Sequence, residues 1–160
     1  MKKYVYPSDI GGSITAPASK SAMQRSIAAA LLAEGESLLV NPTFCDDSLA
    51  AMRVAEGLGA KIRKKSDCVL ISGGLKPVTG NLNCGESGLC IRMFTPVAAL
   101  TGKELTMTGE KSLAERPVSA IEEPLRELGA FISSSNGKLP IKVSGRLLGG
   151  ATEKIGRAHV

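Results

Sequence analysis

Tryptophan is absent from this 160-residue chain, and phenylalanine and tyrosine contribute only three and two residues. So few aromatic faces argue against a surface built to stack unpaired bases. There is a single histidine, and the four cysteines, Cys45, Cys68, Cys84 and Cys90, form no Cys-x-x-Cys pair. No metal site is therefore expected, and the thiols are read as buried and reduced. Long apolar runs are missing too. The most apolar stretch, residues 26–33, is bounded by Arg25 and Glu34, well short of the ~18 residues that a membrane span requires. The start, Met1-Lys2-Lys3-Tyr4-Val5-Tyr6-Pro7, lacks the leucine-rich stretch of a secretory leader, so a cytoplasmic location is expected.

What is present is ordinary globular composition, 43% hydrophobic and 22% charged, which excludes a disordered or fibrous chain. Twenty Lys and Arg against fifteen Asp and Glu leave a net charge of +5. Taken alone, that excess suits a small polyanion as well as nucleic acid. The basic residues are scattered, however, so neither nucleic acid nor a membrane is expected as a partner.

An internal repeat organises the chain. The segment from Ser21 to Gly35 is matched by the segment from Gly88 to Gly102 at an offset of 67, which pairs Arg25 with Arg92. Leu58-Gly59-Ala60 then matches Leu128-Gly129-Ala130 at 70, and Ile71-Ser72-Gly73 matches Val143-Ser144-Gly145 at 72. Each copy reads as helix, strand, helix and hairpin, with a strand at Gly12 to Ala16 opening the first. The second helices are predicted over Asp47 to Leu58, stopped by Gly59, and from Pro117 through Val118, Ile121, Leu125 and Leu128, stopped by Gly129. Hairpins are expected around polar turns at 64–67 and 134–138. The pattern predicts an α/β fold of two βαβαββ units, about 12–80 and 81–148, with the start of a third at 149–153.

Three places could carry chemistry. In Ala16-Pro17-Ala18-Ser19-Lys20-Ser21 the free amides of a helix start, the Ser21 hydroxyl and the Lys20 ammonium converge, and Arg25 lies one turn on from Ser21. A plain helix cap with a solvated Lys and Arg is the alternative. It is not a P-loop, because Ser19 stands where that motif needs glycine. Cys84-Gly85-Glu86-Ser87-Gly88 occupies the same place in the second copy, and its glycines allow a small anion to approach the backbone closely, or simply pack a turn. In the loop Thr108 to Pro117, Arg116 precedes a proline-initiated helix, where it suits an anion or a surface pair with Glu115 or Glu110.

Taken together, Pro-x-Ser-Lys-Ser-x-x-x-Arg at Pro17 to Arg25, Gly-x-x-Gly-x-x-x-Arg at Gly85 to Arg92, and Glu115-Arg116-Pro117 resemble the 5-enolpyruvylshikimate-3-phosphate synthases, collinearly from about Gly12 to Gly150. The resemblance implies the enolpyruvyl transferase fold, an inside-out α/β barrel, of which the chain holds the first third or so. It also implies transfer of the enolpyruvyl group from phosphoenolpyruvate to the 5-hydroxyl of shikimate 3-phosphate, without metal or organic cofactor, by a protein monomeric at full length. By position, Lys20 is implied to touch both substrates, Ser21 and Arg25 to hold shikimate 3-phosphate, and Gly88 and Arg116 to belong to the phosphoenolpyruvate site. Arg92 and Asp47 match with less defined roles. The acid and base carboxylates of such enzymes lie beyond this stretch, so no catalytic residue is assigned, and the 160 residues alone are expected to be inactive and marginally folded.

Glu86-Ser87 stands where most members have Asn-Ala or Asn-Ser, and Leu89 where they have Thr. An acid beside an anionic substrate implies a changed response to glyphosate, which competes there. The related UDP-N-acetylglucosamine enolpyruvyl transferases are the nearer alternative, but they carry Lys-Asn in place of Lys20-Ser21 and a reactive cysteine in the loop matching 108–117. A non-catalytic anion-binding module is the other. Finally, Lys154-Ile155-Gly156-Arg157-Ala158-His159-Val160 equals one translated frame of a common sequencing adapter, so residues 154–160 are expected to be a non-native tail.

Overall fold

Helix α1 (Lys20–Leu32) begins where Ser19, in extended conformation, accepts a hydrogen bond from the Ala22 amide, satisfying one free donor of the first turn. The computed structural model describes residues 2–150; the expected tail at 154–160 and most of the third-unit start lie outside them. After α1 come β1 (Glu36–Val40), α2 (Asp46–Gly57), β2 (Lys61–Lys64) and β3 (Cys68–Ser72). The second half follows with β4 (Asn81–Asn83), α3 (Gly88–Ala99), β5 (Gly102–Thr108), a short α4 (Lys111–Ala114), α5 (Glu122–Glu127), β6 (Phe131–Ser135) and β7 (Lys138–Gly145).

The repeat is visible in the pairing. The first sheet runs β1-β3-β2, all antiparallel, and the second runs β4-β5-β7-β6, so β5-β7-β6 reproduces the first with β4 added parallel at its edge. Even the helix stops repeat. Ala60 N–H reaches Ala55 O and Ala130 N–H reaches Leu125 O, both at 2.9 Å, around Gly59 and Gly129 at φ 115° and 98°. A left-handed residue closes the last turn in this way, and glycine adopts it without steric cost.

Helices α1, α2 and α3 pack on one another and on the inner faces of the sheets. Ile27, Leu31, Met52, Ile91 and Phe94 from the helices meet Ile71, Leu82, Met107 and Ile141 from the strands, each 1% exposed or less. Alanines 50, 51 and 55 on α2 are equally buried, which lets the helix axes come close. The outer faces stay open, as Val40 and Phe131 are 72% and 74% exposed.

Four expectations need correction. Residues 12–16 form no strand, and Ile14 is 95% exposed. Their counterpart β4 survives because α2 of the preceding unit covers Leu82; among the described residues no preceding unit covers Ile14. The second helix of the second copy is short, entered through a 3-10 turn at Ser119–Ile121, since Pro124 withholds a backbone donor that a helix running from Pro117 would need. The turn expected at 134–138 shrinks to Asn136-Gly137, both left-handed, with Ser135 paired to Lys138. Of the cysteines, Cys84 and Cys90 are buried, whereas Cys45 and Cys68 are partly exposed.

Gly73 gives a test of the packing. A Cβ there would lie 2.1 Å from the Ala33 carbonyl oxygen and 2.4 Å from that of Ala30, whereas one at Gly80 meets nothing within 4 Å. Gly73→Ala should lower stability by roughly 1–3 kcal/mol or more, and Gly80→Ala should be neutral or slightly stabilising, read as urea midpoints.

Candidate anion-binding site

The site grows from the first turns of three helices. Lys20 opens α1, and its Nζ lies 2.9 Å from Asp47 Oδ2 in the first turn of α2. The hydrogen bond and charge of Asp47 raise the Lys20 pKa, so the ammonium remains charged through neutral pH. Ser87 caps α3, accepting from the Cys90 amide at 3.2 Å, and donates to Gln24 Oε1 of α1 at 2.8 Å. Gln24 and Ser87 are both fully buried, and Gln24 Nε2 has no hydrogen-bond partner among the described residues.

The turn before α3 is held by the strand pair beneath it. Cys84 N–H bonds Thr108 O at 2.8 Å, Glu110 N–H bonds Gly85 O at 2.7 Å, and Asn83 links Gly85 N–H to the Glu110 carboxylate. Gly88 then sits under two guanidinium groups. A Cβ on it would lie 3.0 Å from Arg92 Nη2 and 3.3 Å from Arg116 Nη1. Arg92 is steadied by its Nε donating to Gly88 O at 2.8 Å. Arg116 Nη2 donates to Ser112 Oγ at 3.3 Å.

These groups surround a cleft of about 400 Å³. Of the residues singled out from sequence, Lys20, Ser21, Gly88 and Arg116 line it together, joined by Asp47 and Arg92. Arg25 is exposed one turn further along α1 and does not line the cleft in this structure. Beside Ser21 it is Gln24, at i+3, that reaches the wall. Gln24 and Ser112 were not anticipated. The signal for Gln24 was one polar residue among the apolar positions Met23, Ile27 and Leu31 of the buried face. An apolar cavity of about 260 Å³ adjoins the cleft through Gly88, Arg92 and Arg116, lined further by Ile91, Leu113 and Val118.

Three cations, Lys20, Arg92 and Arg116, and two carboxylates, Asp47 and Glu86, line the cleft. With the α3 first turn and the Ser21 hydroxyl, this is a donor-rich site suited to small phosphorylated or carboxylated ligands. The chain is thus an α/β protein with a cation- and donor-lined cleft where helix N-termini meet.

Comparison with known proteins narrows that class. The family model for EPSP synthase (3-phosphoshikimate 1-carboxyvinyltransferase) matches residues 5–157. A 3-phosphoshikimate 1-carboxyvinyltransferase of Methanocorpusculum labreanum is 36% identical over 154 residues, covering 94% of this chain and 36% of the relative. One from Chlamydia felis is 38% identical over 158 residues, covering 95% and 35%. The solved EPSP synthase of Acinetobacter baumannii superposes with a TM-score of 0.78 at 32% identity, over 84% of this chain and 32% of that one. The chain belongs to the EPSP synthase family and has the enolpyruvyl transferase fold, spanning about a third of the length of the relatives it matches.

Two predictions follow from the local chemistry. Replacing Gln24 by Met removes the acceptor of a buried hydroxyl, so it should cost roughly 1–3 kcal/mol in denaturant unfolding. The thiols should separate by pH. Partial burial raises the Cys45 pKa, but hydrogen bonds from Ser48, Thr43 and the α2 amides outweigh it and leave the thiol below its usual value. Burial and the adjacent Asp67 hold Cys68 above its own. Iodoacetamide labelling followed by mass spectrometry should therefore reach half its maximal rate at lower pH for Cys45 than for Cys68, with Cys84 and Cys90 protected until unfolding.

Proposed function

We propose that the protein carrying this chain transfers the enolpyruvyl group of phosphoenolpyruvate to the 5-hydroxyl of shikimate 3-phosphate, releasing inorganic phosphate. On this reading residues 12–80 and 81–148 are two repeated units of a larger domain. The observation that carries it is the shared cleft: Lys20 and Ser21 from one copy of the repeat and Gly88 and Arg116 from the other face one space. Both substrates are small polyanions, and the cleft presents cations and hydroxyls from opposite sides.

In the reaction the methylene carbon of phosphoenolpyruvate takes a proton, and the sugar hydroxyl gives up its proton to a base as its oxygen bonds to C2. The tetrahedral adduct then loses phosphate and one methyl proton, restoring the double bond. This chain supplies binding and charge stabilisation. Arg116, Arg92 and the amides at the α3 start would hold the donor's carboxylate or phosphate, while Lys20, fixed by Asp47, would lie between the substrates. Ser21 would bind shikimate 3-phosphate, and Arg25 would join it only from the solvent-exposed side of α1.

The test is phosphate release by the full-length protein, which should require both substrates. Arg116→Ala should lower kcat/KM for phosphoenolpyruvate by on the order of 10- to 100-fold, the loss of a charge-assisted contact. Absence of turnover with both substrates, or an Arg116→Ala protein as active as the unaltered one, would overturn the reading.

A further inference from the structure

Glu86 lines the same cleft as Lys20, Arg92 and Arg116, which is an unexpected place for a carboxylate in a site for anions. Its oxygens are both engaged. Oε1 accepts from Lys111 Nζ at 2.9 Å and Oε2 from Ser112 Oγ at 3.3 Å, and that same Ser112 oxygen accepts from Arg116 Nη2 at 3.3 Å. The protons are consistently placed along this chain: Arg116 donates to Ser112, Ser112 to Glu86, and Lys111 to Glu86. Glu86 is therefore the terminal acceptor of the network that also holds the guanidinium over Gly88.

We propose that Glu86 is a specificity-determining residue, a resident counter-anion at the cleft that offsets the charge of Lys111 directly and that of Arg116 through Ser112, and so weakens binding in proportion to ligand charge. The inference rests on the function proposed above and concerns the same cleft. Lys111 lies on the exposed side, with the carboxylates of Asp46 and Glu110 and the guanidinium of Arg53 around the adjoining hollow. It is held charged by Glu86 first, then by Glu110 and Asp46. Without an anionic ligand, Glu86 gives the donors of the loop a partner and keeps Arg116 in place. When a phosphorylated ligand arrives, it meets the carboxylate of Glu86 among the cations of the cleft. That repulsion grows with ligand charge and decays with salt. It also favours departure of the phosphate that the reaction releases, since product release must follow chemistry at each turnover.

The experiment compares Glu86→Gln, Glu86→Asp and Lys111→Met in the full-length protein, reading KM and kcat for phosphoenolpyruvate at low and high ionic strength. Glu86→Gln keeps an acceptor for Ser112 but removes the charge, so KM should fall on the order of three- to tenfold at low salt, with the gap closing at high salt. Glu86→Asp keeps the charge, so its KM should not fall as that of Glu86→Gln does, and Lys111→Met should raise KM. An unchanged or raised KM in Glu86→Gln, a salt-independent effect, or Glu86→Asp behaving like Glu86→Gln would overturn the inference, as would a lowered KM in Lys111→Met if Glu86→Gln does not fold. Should the unaltered protein show no turnover, the proposed activity fails while the inference is still read from inorganic phosphate binding by calorimetry. There Glu86→Gln must tighten binding for the inference to stand.

Discussion

The cleft depends on one buried contact, the bond from the Ser87 hydroxyl to Gln24 Oε1. Ser87 spends its proton on Gln24 and a lone pair on the Cys90 amide, so a single hydroxyl ties the start of α3 to the first turns of α1. Both residues are fully buried, and a bond in such a setting has no water to replace it. The chain keeps it although Gln24 Nε2 goes unpaired among the described residues. Because Ser87 precedes Gly88, the orientation of α1 and the position of the turn before α3 are set together.

A second constraint comes from the parallel edge of the second sheet. Strand β4 is only three residues long, yet it delivers the turn 84–88, and its pairing with β5 continues beyond Thr108 through Cys84 and Gly85. The loop that bears Lys111, Ser112 and Arg116 emerges from the other member of that pair. Glu86 and Arg116 are thus brought into one network by backbone register. The strand exists because α2 of the first unit covers Leu82, so the second unit's half of the site is supported by the first unit's packing. The residues at 12–16, with no such cover in the described structure, form no strand and stay exposed.

Much of the architecture is legible in the amino-acid sequence. Gly59 and Gly129 marked the helix stops, and the offset of 67 between Arg25 and Arg92 matches the strand order shared by β1-β3-β2 and β5-β7-β6. The Asn136-Gly137 turn carried a tight-hairpin signal that a wider polar turn obscured. The short α5 was less legible, because Val118, Ile121, Leu125 and Leu128 keep helical spacing while Pro124 interrupts the hydrogen bonding that spacing presumes.

Local order was determined by the sequence itself, because caps, stops and apolar periodicity act between residues a few positions apart. Ser19, Ser87 and the paired glycines place the helix ends, and the matched strings place Lys20, Ser21 and Gly88 at those ends and Arg116 in the loop after β5. Only the tertiary structure decided which of them share a space. It turned Gln24 rather than Arg25 to the cleft wall, set Arg92 and Arg116 over Gly88, and joined Glu86 to Lys111 and Ser112 across 25 and 26 residues. Those contacts follow from how α1, α3 and the β4–β5 pair pack, and the directions in which side chains converge after packing are a property of the assembled core.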